Sequence, residues 1–186
     1  IIRPQYIVEA AQLINGAERP FVIFGQGVIL GKAEKEFVEF IEKAGLPAAW
    51  TIMGMSGIPT SHPLAVGMLG MHGNYGPNLL TNEADVLIAV GMRFDDRVTG
   101  RLDKYARQAK IIHLDIDPAE IDKNVKADVP VWGDCKETLP LLTGLLHKKT
   151  HDNWLKKFRD CDAKEKTTCI DPEMNPAGEA LTMAEV

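Results

Sequence analysis

Up to about position 147, apolar residues along the chain follow two alternating rhythms. The first is helical. Tyr6, Ile7, Ala10, Ala11 and Ile14 recur at core-facing intervals behind Pro4 and ahead of Gly16, which predicts a helix over residues 4–14. Phe37, Val38, Phe40 and Ile41 do the same over residues 33–44. Glu34, Lys35, Glu36, Glu39, Glu42 and Lys43 lie largely on the other side there, and Gly45 is the stop signal. A third helix is predicted over residues 136–147. The second rhythm is a short continuous run, rich in Val and Ile, at residues 21–24, 48–51, 85–91, 110–115 and 129–132. Runs apolar on both faces mark strands buried inside a sheet.

Buried strands separated by helices predict an α/β fold. It is a doubly wound, Rossmann-like three-layer sandwich around a mainly parallel sheet of about six strands, with right-handed crossovers. No internal repeat interrupts it. Residues 1–147 form the domain on this pattern, and residues 148–186 read as a linker.

Composition narrows the classes. With 186 residues, 45% of them hydrophobic and 25% charged, the chain has the make-up of one ordinary soluble domain. A core of this size buries roughly 70% of the unfolded surface, so neither disulfides nor a structural metal is required. The net charge of −5 argues against a nucleic-acid scaffold, which needs a basic face. No apolar run approaches the roughly 20 residues of a membrane span. Cys135, Cys161 and Cys169 are odd in number and sit in no metal-ligand spacing, as expected of reduced thiols in a cytosolic protein. The opening Ile1-Ile2-Arg3-Pro4, without Met or signal peptide, reads as the start of a piece of a longer polypeptide.

Ligands of open α/β sheets bind beyond the carboxyl ends of the strands, and the chemistry-bearing residues gather there. The first strand runs into Gly25-Gln26-Gly27, the second into Thr51-Ile52-Met53-Gly54, and the long central one into Gly91-Met92-Arg93-Phe94-Asp95-Asp96-Arg97. The last two run into Asp115-Ile116-Asp117 and Gly133-Asp134. Gly25 and Gly27 allow close approach of a ligand, and amides there can meet a pyrophosphate. With Gly31 they spell GxGxxxG, one residue longer than the dinucleotide fingerprint, so an ordinary strand-to-helix turn stays open. Asp115 and Asp134 can accept from ribose hydroxyls or adenine, or cap a helix. Arg93 and Arg97 face the cleft or pair with Asp95 and Asp96 in a solvated cluster. His72 lies in a glycine-flanked turn with no nucleophile or orienting carboxylate beside it in sequence, which disfavours a general base. No catalytic constellation appears, so the chain reads as a binder without chemistry of its own.

Three segments carry a resemblance: Leu69-Gly70-Met71-His72-Gly73, Gly91-Met92-Arg93-Phe94-Asp95-Asp96-Arg97-Val98-Thr99-Gly100, and His113-Leu114-Asp115-Ile116-Asp117. Over residues 1–147 the sequence resembles the central domain of the acetolactate synthase (acetohydroxyacid synthase) family of thiamine-diphosphate enzymes. The RFDDRVTG stretch is the discriminating one. The tail from Leu181 to Val186 looks like the connection to that family's C-terminal domain.

The resemblance implies an enzyme that condenses two 2-oxo acids with loss of CO2, pyruvate with pyruvate or 2-oxobutyrate, in branched-chain amino-acid synthesis. Thiamine diphosphate and Mg2+ are bound in the family by N- and C-terminal domains absent from this chain, so no catalytic residue falls in it and the stretch alone is expected to be inactive. The family's central domain binds an extended FAD. Carried over residue by residue, Gly25, Gln26 and Gly27 would follow its phosphates and ribityl chain. Thr51, Ile52 and Met53 would lie beside the flavin, flanked by Leu69, Gly70, Met71, His72, Gly91, Arg93, Asp95 and Val98. Asp115, Ile116 and Asp134 would meet the adenosine. Arg97 would receive the carboxylate of the second oxo acid, with Asp96 holding it and Met71 beside it in the substrate channel. Met92 stands where many relatives carry a smaller residue. The whole enzyme would be a homodimer or homotetramer in a bacterial cytosol, or in plastids as the eukaryotic alternative. It would pack against its own missing domains, with room for a regulatory small subunit and no role for nucleic acid or membrane. Another thiamine enzyme such as pyruvate oxidase, or a non-catalytic nucleotide-binding module, is the alternative.

Overall fold

The computed structural model describes residues 2–174. It opens with helix α1 (Pro4–Gly16), strand β1 (Pro20–Phe24), a short helix α2 (Gln26–Leu30) and helix α3 (Glu34–Ala44). Strand β2 (Ala48–Trp50), strand β3 (Ala65–Met68), helix α4 (Tyr75–Leu80), strand β4 (Val86–Val90) and the one-turn helix α5 (Asp96–Thr99) follow. The chain continues through β5 (Lys110–Asp115), β6 (Val129–Trp132), α6 (Cys135–Leu145), α7 (Asp152–Glu165), a π-turn over Lys166–Ile170 and α8 (Asp171–Met174).

All six strands run parallel in the order β3-β2-β1-β4-β5-β6. This is the doubly wound arrangement expected from the apolar runs, reversing direction between β1 and β4. The strand residues alternate between two cores. Val22, Phe24, Ile88, Val90, Ile112 and Leu114 pack beneath α1, α3 and α6. Phe21, Ile23, Leu87, Ala89 and Ile111 pack on the opposite side with Trp154 and Phe158 of α7. α3 forms as its sequence dictates: Phe37, Phe40 and Ile41 are buried, Glu34 and Glu36 sit in the first turn and Lys43 in the last, and Gly45 ends it at φ 60°.

Beyond the short helices α2, α4, α5 and α8, which the apolar periodicity does not mark, two further elements depart from the sequence pattern. β3 is a sixth strand beyond the five apolar runs. Its Ala65-Val66-Gly67-Met68 is too short and glycine-interrupted to stand out, and pairing along β2 makes it a strand. The stretch expected as linker carries α7, because Trp154 and Phe158 find a buried seat on the sheet. The Trp154 indole N–H donates to the Pro20 carbonyl at 2.8 Å, and the Phe158 ring lies 5.0 Å from that of Phe21. The tail from Leu181 onward lies outside the described residues. Among the described residues no helix is long and apolar enough to cross a membrane.

Candidate functional site

The carboxyl ends of β1 and β4 meet at the topological switch point. Gly27 N–H donates to the Gly91 carbonyl at 2.9 Å, and Gly25 N–H to the Val90 carbonyl at 3.0 Å. A Cβ on Gly27 would lie 2.6 Å from the Gly91 Cα, and one on Gly25 the same distance from the Met92 Cβ. Gly91 itself has φ 55°. These glycines are therefore needed for one loop to pass against the other, not only for a ligand. Their two amides are spent within the fold, which narrows the expected phosphate contact to Gln26, the first amide of α2, which has no acceptor inside its helix.

Around this junction opens a cleft of about 930 Å3, at the upper end of the range taken by small-molecule sites. Its wall runs from Asp115, Ile116 and Asp134 at the β5 and β6 ends, past Gly25, Gln26, Gly27, Gly91, Arg93, Asp95 and Val98, to Thr51, Ile52, Met53, Leu69, Gly70, Met71 and His72. Arg97 lines it too; Asp96 does not. Leu30, Gly31, Met68, Met92, Glu120 and Cys135 complete the wall; Gly31 and Met92 lie in segments that the sequence marks, whereas the sequence context of Leu30, Met68, Glu120 and Cys135 does not place them at a site.

The carboxylates divide by role. Asp95 is the N-cap of α5, accepting from the amides of Arg97 and Val98 at 2.9 and 3.3 Å. Asp134 caps α6 through the Lys136 amide at 2.8 Å, so its capping and cleft-lining roles coexist. Asp115 caps no helix. It accepts from the Asp117 amide at 2.9 Å, and burial pushes its carboxyl above the ordinary carboxylate range despite that bond. Cys135 beside it is a buried thiol pushed up to about 12, chiefly by desolvation, and is inert as a nucleophile.

Asp96 does not anchor Arg97. Their closest approach is 4.0 Å with side chains 84% and 70% exposed, a pair that solvent screens. Met71 touches Arg97 instead: its amide donates to the Arg97 carbonyl at 2.7 Å, and the Arg97 guanidinium reaches its sulfur at 3.7 Å. The β3–α4 and β4–α5 turns are thereby stitched into one wall. Arg93 is similarly loose, 3.7 Å from Asp95, and is available to an anionic ligand.

Three supports escaped the sequence reading. His113 is fully buried on β5 and its Nε2–H donates to the Met92 carbonyl at 2.9 Å, holding the β4 loop from beneath. Desolvation pulls its pKa below the ordinary value, outweighing the carbonyl bond and Asp115 at 3.9 Å. It is a neutral imidazole whose Nδ1 has no partner. Asn124 donates to the Phe94 carbonyl at 2.7 Å, a second prop under the same loop. Asn78 clasps Gly70 at both its N–H and its carbonyl, at 2.8 and 2.9 Å. His113 and Asn124 find their partners in another part of the chain, and Asn78 closes its own turn onto Gly70; spacing along the sequence reveals none of the three.

Among the described residues no group of His, Cys, Asp and Glu is arranged to hold a metal. The family model for the thiamine pyrophosphate enzyme central domain matches residues 7–142. The chain is 48% identical over 158 residues to the probable acetolactate synthase large subunit of Methanocaldococcus jannaschii, covering 83% of this chain and 27% of that protein. It is 40% identical over 154 residues to the acetolactate synthase isozyme 3 large subunit of Escherichia coli, with the same two coverages. Against an acetolactate synthase of Mycobacterium bovis the identity is 48% over 138 residues, 74% of this chain and 22% of that one. The chain thus spans about a quarter of the length of the curated relatives it matches. Its parallel sheet, its cleft at the switch point and these matches agree: the chain belongs to the family of thiamine pyrophosphate enzyme central domains.

Proposed function

We propose that this chain is the FAD-holding central domain of an acetolactate synthase large subunit, with residues 1–147 as its framework. One observation carries the reading. A single continuous cleft crosses the ends of all six strands and changes character along its length. The carboxylates of Asp115 and Asp134 at one end suit the hydroxyls and amines of an adenosine, acceptors that such groups can satisfy. Exposed Ile52, Met53 and Met71 at the other end suit a flat apolar ring. Between them the Gln26 amide and the loosely paired Arg93 suit a pyrophosphate. The donor set therefore fits an extended dinucleotide, which a site built for ADP alone would not need.

FAD has no net redox role in this condensation and serves the architecture of the site. The residues of this chain bind, orient and shield. His113 and Asn124 fix the β4 loop from below, and Met71 fixes the Arg97 backbone. That leaves the Arg97 guanidinium, 70% exposed, to receive the carboxylate of the second 2-oxo acid as a two-pronged donor. Thiamine diphosphate, Mg2+ and the bond-making belong to domains outside this chain. The whole enzyme is then a homodimer or homotetramer in a bacterial cytosol, with its own N- and C-terminal domains as nearest partners and a regulatory small subunit as a further one.

The test is Arg97→Ala in the full-length polypeptide. Loss of a charge-assisted contact predicts a KM for the second oxo acid raised about tenfold or more, with FAD occupancy unchanged. Unaltered carboligation would remove Arg97 from this role.

A further inference from the structure

Helix α4 begins without a cap of its own. Asn74 occupies the N-cap position but makes no capping bond, because its carboxamide oxygen accepts from the Met68 amide at 3.0 Å. The cap comes from ninety residues away. Glu165, the last residue of α7, accepts from the Tyr75 amide through one carboxylate oxygen at 3.0 Å and from the Asn74 Nδ2 through the other at 3.2 Å. Beside it the Lys164 ammonium lies 5.1 Å above the Tyr75 ring.

The turn that this carboxylate holds is tight. Gly67 and Gly70 both sit at φ 104°, and a Cβ on Gly67 would come within 2.5 Å of the Asn74 carboxamide oxygen. Asn74 can reach Met68 only because glycine stands there. Its carboxamide has one acceptor and one donor end, and both are fixed, the first by Met68 and the second by Glu165. From Met68 the turn leads to Met71, whose amide is bound to the Arg97 carbonyl. An unbroken series of directed bonds therefore runs from α7, through Asn74, to the cleft wall.

We propose that Glu165 is a positioning residue: from the end of α7 it sets the wall of the cleft from Met68 to His72. The proposal rests on the dinucleotide reading for its consequence, which is selective. Losing the carboxylate frees the Asn74 carboxamide and loosens the Met71 end, while the Asp115 and Asp134 end, on other strands, is untouched. FAD spans both ends; ADP fills only the second.

The experiment uses the 186-residue chain with 13C-methyl methionine, titrated with FAD and separately with ADP. Glu165→Ala should move the Met68 and Met71 methyl signals, leave that of Met92 in place, and weaken FAD about fivefold, the worth of an ordinary hydrogen bond. ADP affinity should hold. Glu165→Gln, which keeps one acceptor for Tyr75 but offers Asn74 a donor, should fall between. Lys157→Ala is the control, since it breaks the α7 tie to Glu83 away from the turn and should move neither signal. Met68 and Met71 signals unmoved in Glu165→Ala, or moved equally by Lys157→Ala, would overturn the proposal. A wild-type chain blind to FAD would sink the flavin reading, yet the methyl signals would still decide the role of Glu165.

Discussion

His113 is buried, neutral and bonded to the loop that carries Arg93 and Arg97, and this makes the fold sensitive to acid. Its native pKa lies below the ordinary 6.5, so in moderately acidic solution the unfolded chain binds a proton that the native one refuses. The stabilisation is complete above about 6.5 and is lost as pH falls from there toward the native value. Asp115, shifted upward, contributes with the opposite sign in the window above 3.8. Urea denaturation from pH 7 to pH 5 should show stability falling, and His113→Gln, which keeps a donor and cannot titrate, should flatten that slope. An unchanged slope would mean that other groups govern it. The glycines give a second residue-scale prediction. Gly91→Ala meets the Gly27 Cα at 2.7 Å and a positive φ, whereas Gly100 has a positive φ with open space around it. Gly91→Ala should cost about 2 kcal/mol or more, and Gly100→Ala about 1 kcal/mol, in the same denaturation experiment.

Among the elements, α7 holds more of the fold than its sequence suggests. Trp154 and Phe158 are its buried residues, set among Asp, Lys and Arg, and the helix is polar around most of its circumference. Phe158→Ala should cost about 3–5 kcal/mol, as full burial of a large ring implies. A cost near zero would show that α7 is only loosely laid on the sheet. The strands were the legible part of the chain, since β1 and β4 are apolar on both faces and admit no other place than the sheet interior. β3 was hidden because four residues with a glycine carry too little pattern, and α7 because two aromatic anchors in a charged segment look like a solvated tail. The candidate site was legible where residues follow a strand end directly, as with Gly25, Gly91, Asp115 and Asp134. It was illegible where a support arrives from far along the chain. His113, Asn124 and Glu165 are ordinary polar residues until the fold brings their partners to them.

At the scale of the whole molecule, a net charge of −5 gives an anionic dinucleotide no help from the overall field, so binding rests on local donors and apolar walls. Exposed Ile52, Met53, Met71 and Ile116 on the cleft edge are surface that a bound ligand or the rest of a longer polypeptide would cover. Binding of FAD to this chain alone should accordingly be weak, with a Kd above about 1 µM. One extended ligand spanning the cleft would be seen most directly in an amide chemical-shift map of the 186-residue chain during an FAD titration. Saturable shifts are expected at three places together: Asp115 and Ile116, Gln26 and Gly27, and Met71 and His72. Shifts confined to Asp115 and Ile116, or none up to about 1 mM FAD, would contradict a single spanning ligand.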